Sequence, residues 1–298
     1  MMKTTENNWG RWGNEDEMGA LNLLTPEMVR TATQGIRNGK VYSLGIPIQS
    51  SGVPLLEHRG TPMRLTLTNE SDEENFALFG APVGTGTNED LLVFASHTTS
   101  HIDALCHVYH EKKHYNGVPA SEMKTQTGAR KLGIEKLGGI AAHATLLDVA
   151  GYFNVEWLEP GHTITADDLD KCAHTQGIEV RKGDLVLIRT GYLDYWFAKN
   201  PDVGFDQPGI GADAARWLVN KDVVAVGSDN AALEVIPFDD DDFLCVHKIL
   251  LVHSGIYIME FLNLTEMAQD RCYEGLITVA PLKITGATGS PVNPIVIG

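Results

Sequence analysis

Five of the chain's eleven histidines fall in one stretch, residues 96–117, SHTTSHIDALCHVYHEKKHYNG. His97, His101 and His107 surround a single carboxylate, Asp103. Imidazole and carboxylate together are the ligand set of Zn²⁺, Mn²⁺ or Fe²⁺. Asp103 has two oxygens and could bridge two ions. Taken singly, a histidine is more often a satisfied core or surface group; the density here points to a metal. His110 and His114 flank Glu-Lys-Lys before the turn-like Tyr115-Asn116-Gly117 and read as surface loop residues. Cys106, inside the cluster, reads as a small buried hydrophobe rather than a reactive thiol.

Geometry limits how these groups can meet. All four occupy odd positions, so one straight strand would put them on one face but spread them over ~33 Å, at ~3.3 Å per residue. A straight helix would align His97 with His101 and turn Asp103 away. The segment must therefore bend. The pattern predicts a strand at 91–96, LLVFAS, a turn through Thr98–Ser100, and a short helix near Ala104.

Other elements must hold this bend in place. Thr25, Pro26 and Gly39 bracket a helix over 26–37. Strands are expected at 41–48, 144–150, 183–192 and 223–229, and helices at 120–127, 133–137 and 211–220. Thr165 and Asp168 form a capping box for a helix ending near Gly177. Residues 49–89 read as loops with short strands, and RLTLT at 64–68 alternates like a half-buried strand. KILLVHSGIYIMEFL holds a further pair of apolar elements. Glu260 lies in its second half, where a carboxylate is expensive to bury unless paired or on a metal. Strands alternate with helices in the second half, which indicates an α/β or mixed-sheet protein.

The bulk properties exclude several classes. With 298 residues, 43% hydrophobic and 21% charged, the chain can bury a sizeable core and is not disordered. A formal net charge of -16 disfavours nucleic acid and anionic membrane as partners. No apolar run approaches the ~20 residues of a membrane span. The four cysteines include no C-x-x-C pair, and the N-terminus lacks a signal-like apolar core. A reduced, cytoplasmic protein with free thiols is expected. There is no G-x-S-x-G, P-loop or dinucleotide fingerprint, and GAPVGTGTN at 80–88 reads as a loop. Trp9, Trp12, Phe76 and Phe79 could wall a pocket for a flat aromatic substrate, serve as packing anchors, or reach a neighbouring subunit.

The stretch from His97 to His107 resembles the signature of the cyclase-like metal-dependent hydrolases, H-x-G-T-H-x-D-x-P-x-H. That family includes bacterial kynurenine formamidases and isatin hydrolases. WGNEDEMGALNLLTPE at 12–27, HYNG at 114–117, TLLDVA at 145–150, HKILLVHSGIYIMEFLNL at 247–264 and TGSPVNPIVI at 288–297 resemble further blocks of the family. Thr99, Ser100 and Leu105 stand where its Gly, Thr and Pro would be. If the turn needs positive φ at position 99, a β-branched residue there would be strained.

The resemblance implies a swivelling β/β/α (cyclase-like) α/β fold with a mixed sheet and flanking helices. It implies a single domain over 1–298 with 1–25 as an N-terminal arm. It assigns His97, His101 and Asp103 as metal ligands, with Asp103 bridging to a second ion held by His247 and Glu260; His253 is the alternative to His247. His107 would be the acid–base group. One or two Zn²⁺ or Mn²⁺ per chain, a small-molecule substrate and a homodimer or homotetramer follow from the same resemblance. The implied reaction is amide hydrolysis by metal-activated water, of a formamide or cyclic amide. A lactone hydrolase, a ring-forming cyclase and a non-catalytic metal-binding protein are the alternatives. A structural zinc module fits poorly, because such sites are usually Cys-rich and closed.

Overall fold

A computed structural model describes residues 7–202 and 206–298, so residues 1–6 of the N-terminal arm lie outside the described set. The architecture is built on a nine-stranded mixed sheet. From one edge to the other its strands are Val41–Ser43, Ile295–Ile297, Glu274–Val279, Ile140–Asp148, Leu185–Arg189, Ala225–Ser228, Tyr257–Glu260, His101–Asp103 and Gly289–Pro291. The four strands from Ile140–Asp148 to Tyr257–Glu260 run parallel, and every other pairing is antiparallel. Parallel neighbours need crossovers, and the helices Ala166–Gln176, Tyr192–Lys199 and Ala212–Asn220 lie in those connections. Leu185–Arg189 is buried at every position, which accounts for its unbroken apolar run.

Local signals place several elements well. Thr25 caps the helix Pro26–Ala32 through the Met28 amide, and a 3₁₀ turn over Thr33–Gly35 replaces the expected last turn. Thr165 and Asp168 bond reciprocally, and Gly177 closes that helix in the left-handed region.

Other expectations fail. The helix at 120–127 is a 3₁₀ turn, Ala120–Glu122, followed by a two-residue strand. At 133–137 only the 3₁₀ turn Ile134–Lys136 forms. Too few apolar positions recur at helical spacing there to bury a face. The strand expected at 41–48 stops at Ser43. The strands Met63–Thr68 and Glu89–Val93 form a separate antiparallel hairpin that is exposed, not half-buried.

The N-terminal arm lies on its own chain. The Asn8 amide donates to the His253 carbonyl, Trp9 Nε1 donates to the Val252 carbonyl at 2.7 Å, and Arg11 pairs with Asp222. Trp9 and Trp12 pack against the main core, so they are anchors. Phe79 is 88% exposed and walls nothing. No helix among the described residues is long and apolar enough to cross a membrane.

Candidate metal centre

The segment bends as the spacing requires, but by a different device. His97 opens a turn, and His101–Asp103 is a short strand rather than the approach to a helix. That strand is inserted between Tyr257–Glu260 and Gly289–Pro291. Side chains alternate across it, so His101 and Asp103 share one face while Ile102 enters the core. The register sets His101 opposite Glu260 and Asp103 opposite Gly289. Gly289 is needed for space. A Cβ built there would lie 2.5 Å from His97 Nε2 and 2.8 Å from the Ile102 carbonyl oxygen.

The residues that depart from the signature fit this turn. Thr99 does not take positive φ, so the anticipated strain is absent. Its carbonyl lies 2.6 Å from His101 Nδ1. Ser100 Oγ donates to the Phe261 carbonyl at 2.6 Å and accepts the Ile46 amide at 2.8 Å, tying the turn to the sheet. Leu105 is buried in the core.

The six expected site residues converge. His97 Nε2 is 3.2 Å from Asp103 Oδ1, and His101 Nε2 is 3.0 Å from Glu260 Oε2. His247 Nε2 lies 3.6 Å from Asp103 Oδ2 and 3.3 Å from Glu260 Oε1. His107 stacks on His97 with ring centroids 4.1 Å apart. Two groups have donor atoms close enough to hold an ion: His97, Asp103 and His107, and Asp103, His247 and Glu260. Asp103 belongs to both, offering one oxygen to each side. His107 sits within the first group, so its position does not separate it from the ligands. His253, the alternative to His247, instead lies 3.3 Å from His110.

Each of the three expected histidine ligands has its Nδ1 engaged outward. His101 Nδ1 faces the Thr99 carbonyl, so it carries the proton and donates. His247 Nδ1 donates to Glu234 Oε1 at 2.5 Å. His97 Nδ1 meets Ser96 Oγ at 3.1 Å. The Nε2 atoms therefore point inward toward one another and the carboxylates, the orientation metal-binding imidazoles adopt. His97 Nε2, His101 Nε2 and both Asp103 oxygens are buried without a hydrogen-bond partner. Buried polar atoms are almost always paired, so this concentration fits a divalent cation.

The electrostatics agree. Burial pushes the Asp103 carboxyl up, but the neighbouring imidazoles of His107, His247 and His97 hold it well below its usual range. Glu260 behaves alike: His101 and His247 outweigh burial and keep it ionised. Burial pushes His247 down, yet Asp103, Glu234 and Glu260 raise it above an ordinary histidine. Burial takes His107 down to about 3, with His97 and His247 adding to the effect against Asp103. Two buried carboxylates held anionic make a site that attracts positive charge.

Glu234 was missed in the sequence. It is fully buried and also accepts the amides of Val246 and His247, at 3.3 and 3.2 Å. Its flanks, Leu233, Val235 and Ile236, carry the same signal that marked Glu260: a carboxylate inside an apolar run. His114, expected on the surface, is buried with Nδ1 3.0 Å from the Val108 carbonyl. Cys106 is buried, and burial pushes its thiol up to about 12, so it is unreactive.

The family model described as "Putative cyclase" matches residues 42–235. The crystal structure of a novel cyclase superposes with a TM-score of 0.87 at 33% identity, covering 98% of this chain and 97% of that one. An isatin hydrolase bound to the product analogue thioisatinate has a similar fold, with a TM-score of 0.63 and 20% identity over 86% of this chain and 91% of its own. A structure described as a "predicted metal-dependent hydrolase" from Bacillus stearothermophilus gives 0.55 and 23%, over 86% of this chain and 97% of its own. No curated protein matches the sequence.

Proposed function

Since the chain belongs to the cyclase family, with its mixed-sheet α/β fold, we propose that it is a metal-dependent hydrolase of amide bonds. The observation that carries this reading is the sharing of Asp103, both of whose buried oxygens lack a hydrogen-bond partner, between two sets of clustered ligand-type side chains. The proposed substrate class is a small N-formyl or cyclic amide; the fold likeness to an isatin hydrolase supports the cyclic case. Zn²⁺ or Mn²⁺ is the proposed cofactor, one or two ions per chain, and the cytoplasm the proposed compartment.

His97, His101, Asp103, His247 and Glu260 are the proposed metal-holding residues. A divalent cation supplies Lewis acidity, which polarises an acyl carbonyl and acidifies water. The protein supplies buried ligand side chains and fixed ring orientations. Thr99 and Glu234 lock the Nδ1 protons of His101 and His247, so neither ring must reorient during turnover. His107 is proposed to take a proton from the attacking water at a ring nitrogen and deliver it to the leaving nitrogen.

The test begins with metal content per chain, measured by elemental analysis on protein purified without chelator. Two equivalents support the paired site, and one supports a mononuclear site. No metal, even after addition of Zn²⁺ or Mn²⁺, removes the hydrolase reading. A panel of N-formyl anilines, isatin-type rings and unsaturated lactones on the loaded protein then identifies the bond. Lactone turnover alone would favour the ester-cleaving alternative, and no turnover of any panel member a purely metal-binding role.

A further inference from the structure

Arg59 holds a cation beside the metal centre without a counter-charge. It ends the 3₁₀ turn Glu57–Arg59, and its guanidinium donates to the backbone carbonyl of His97. It is half-buried, yet it pairs with no carboxylate among the described residues, Glu57 of its own turn included. The other arginines without an ion pair, Arg30, Arg130, Arg216 and Arg271, are all exposed. With 39 acidic residues to 23 basic ones, the chain had carboxylates in excess to place there. A guanidinium has five N–H donors, and the described residues engage one of them. The segment leading to Arg59 runs along the metal centre. Val53 and Leu55 pack in one cluster with Phe261 and Tyr192. Phe261 directly follows Glu260, and its ring centroid lies 6.4 Å from that of His101. Residues 53–59 thus pass from the Glu260 side of the centre to the His97 side, apolar side chains first and guanidinium last.

We infer that Arg59 binds a carboxylate that the substrate carries away from its scissile bond, so that the preferred substrates are anionic aryl amides. The inference rests on the amide-hydrolase reading and narrows it. A guanidinium presents a planar fork that meets a carboxylate with two parallel hydrogen bonds. The bond to the His97 carbonyl already holds the group in place, so less side-chain freedom is lost when the anion arrives. Charge matters as well as shape. A chain with a net charge of -16 repels an anion approaching from solvent, and a free cation next to the centre offsets that repulsion locally. Leu55, partly buried against Phe261, supplies apolar surface for an aryl ring on the same segment.

The experiment compares matched substrates on the metal-loaded protein: 4-formamidobenzoate against formanilide, and isatin-5-carboxylate against isatin. The wild type should favour the carboxylate of each pair in kcat/KM. Arg59→Met should reduce that preference about tenfold or more, chiefly through the KM of the carboxylate. Arg59→Lys keeps a charge and a donor for the His97 carbonyl but loses the fork, and should fall between the two. It carries the same test should Arg59→Met lose its metal. A role confined to bracing the His97 turn predicts equal losses on both members of a pair, and that result would overturn the inference. So would a wild type without the preference, or a preference that survives both substitutions. Calorimetry with benzenesulfonate, an aryl anion that coordinates metal ions poorly, reads the anion site without turnover. Affinity that falls with Arg59→Met in a protein that hydrolyses no amide would uphold the anion site and refute the hydrolase reading. Amide turnover with no preference for the carboxylate would do the reverse.

Discussion

Glu234 accepts the Nδ1 proton of His247 at 2.5 Å and thereby aims Nε2 of the same ring between Asp103 and Glu260. Three further contacts to Glu234 come from the backbone and thiol of Cys245–His247, the helical turn that carries the ring. Glu234→Gln keeps the shape and removes the charge. Metal affinity should fall ~10–100-fold, as measured by competition with a chromophoric chelator. An unchanged affinity would make Glu234 a structural residue only.

Gly289→Ala tests the packing behind His97. The added methyl overlaps His97 Nε2 and a backbone carbonyl, and the backbone cannot give way cheaply. The ring should be displaced, and metal stoichiometry should drop while the fold remains. Full metal content in a folded Ala variant would contradict this placement.

His107→Ala should retain metal and lose ~10²–10⁴-fold in turnover if His107 acts on protons. Metal loss from this variant would instead put His107 among the ligands, alongside His97 and Asp103. Asp103→Ala should lose metal and activity together, because it serves both groups.

Metal binding should be proton-linked. In the metal-free protein His247 has a raised pKa and so carries a proton that the ion must displace. Affinity therefore increases with pH up to the folded pKa of His247 and levels off above it. Asp103 and Glu260 are lowered, so they stay ionised and add no competition until the medium is strongly acidic. Calorimetry in buffers of different ionisation enthalpy reads the released proton. A heat independent of the buffer would refute the linkage.

The cluster was legible in the sequence because metal chemistry admits few residue types, and four such residues, His97, His101, Asp103 and His107, crowd into eleven positions. The form of their support was not. His101–Asp103 is only three residues long, too short to show a period, and its strand conformation is imposed by the neighbours on both sides. Glu234 carried a readable signal, its apolar flanks, but its partner lies thirteen positions away on another element. The central strands were legible for the opposite reason: complete burial leaves an unbroken apolar run in the sequence. The alternation at 64–68 misled in the other direction: it suggested a half-buried strand, and the strand is exposed.

The sheet order has a consequence for biosynthesis. His97, His101 and Asp103 leave the ribosome long before His247 and Glu260, and the strand flanking them, Gly289–Pro291, comes last of all. A nascent chain can offer an ion only the first few ligands, and without Gly289–Pro291 the His101–Asp103 strand has an open edge. On the proposed reading, the full ligand set is fixed only once Gly289–Pro291 has joined the sheet, so metal loading would follow synthesis of that strand.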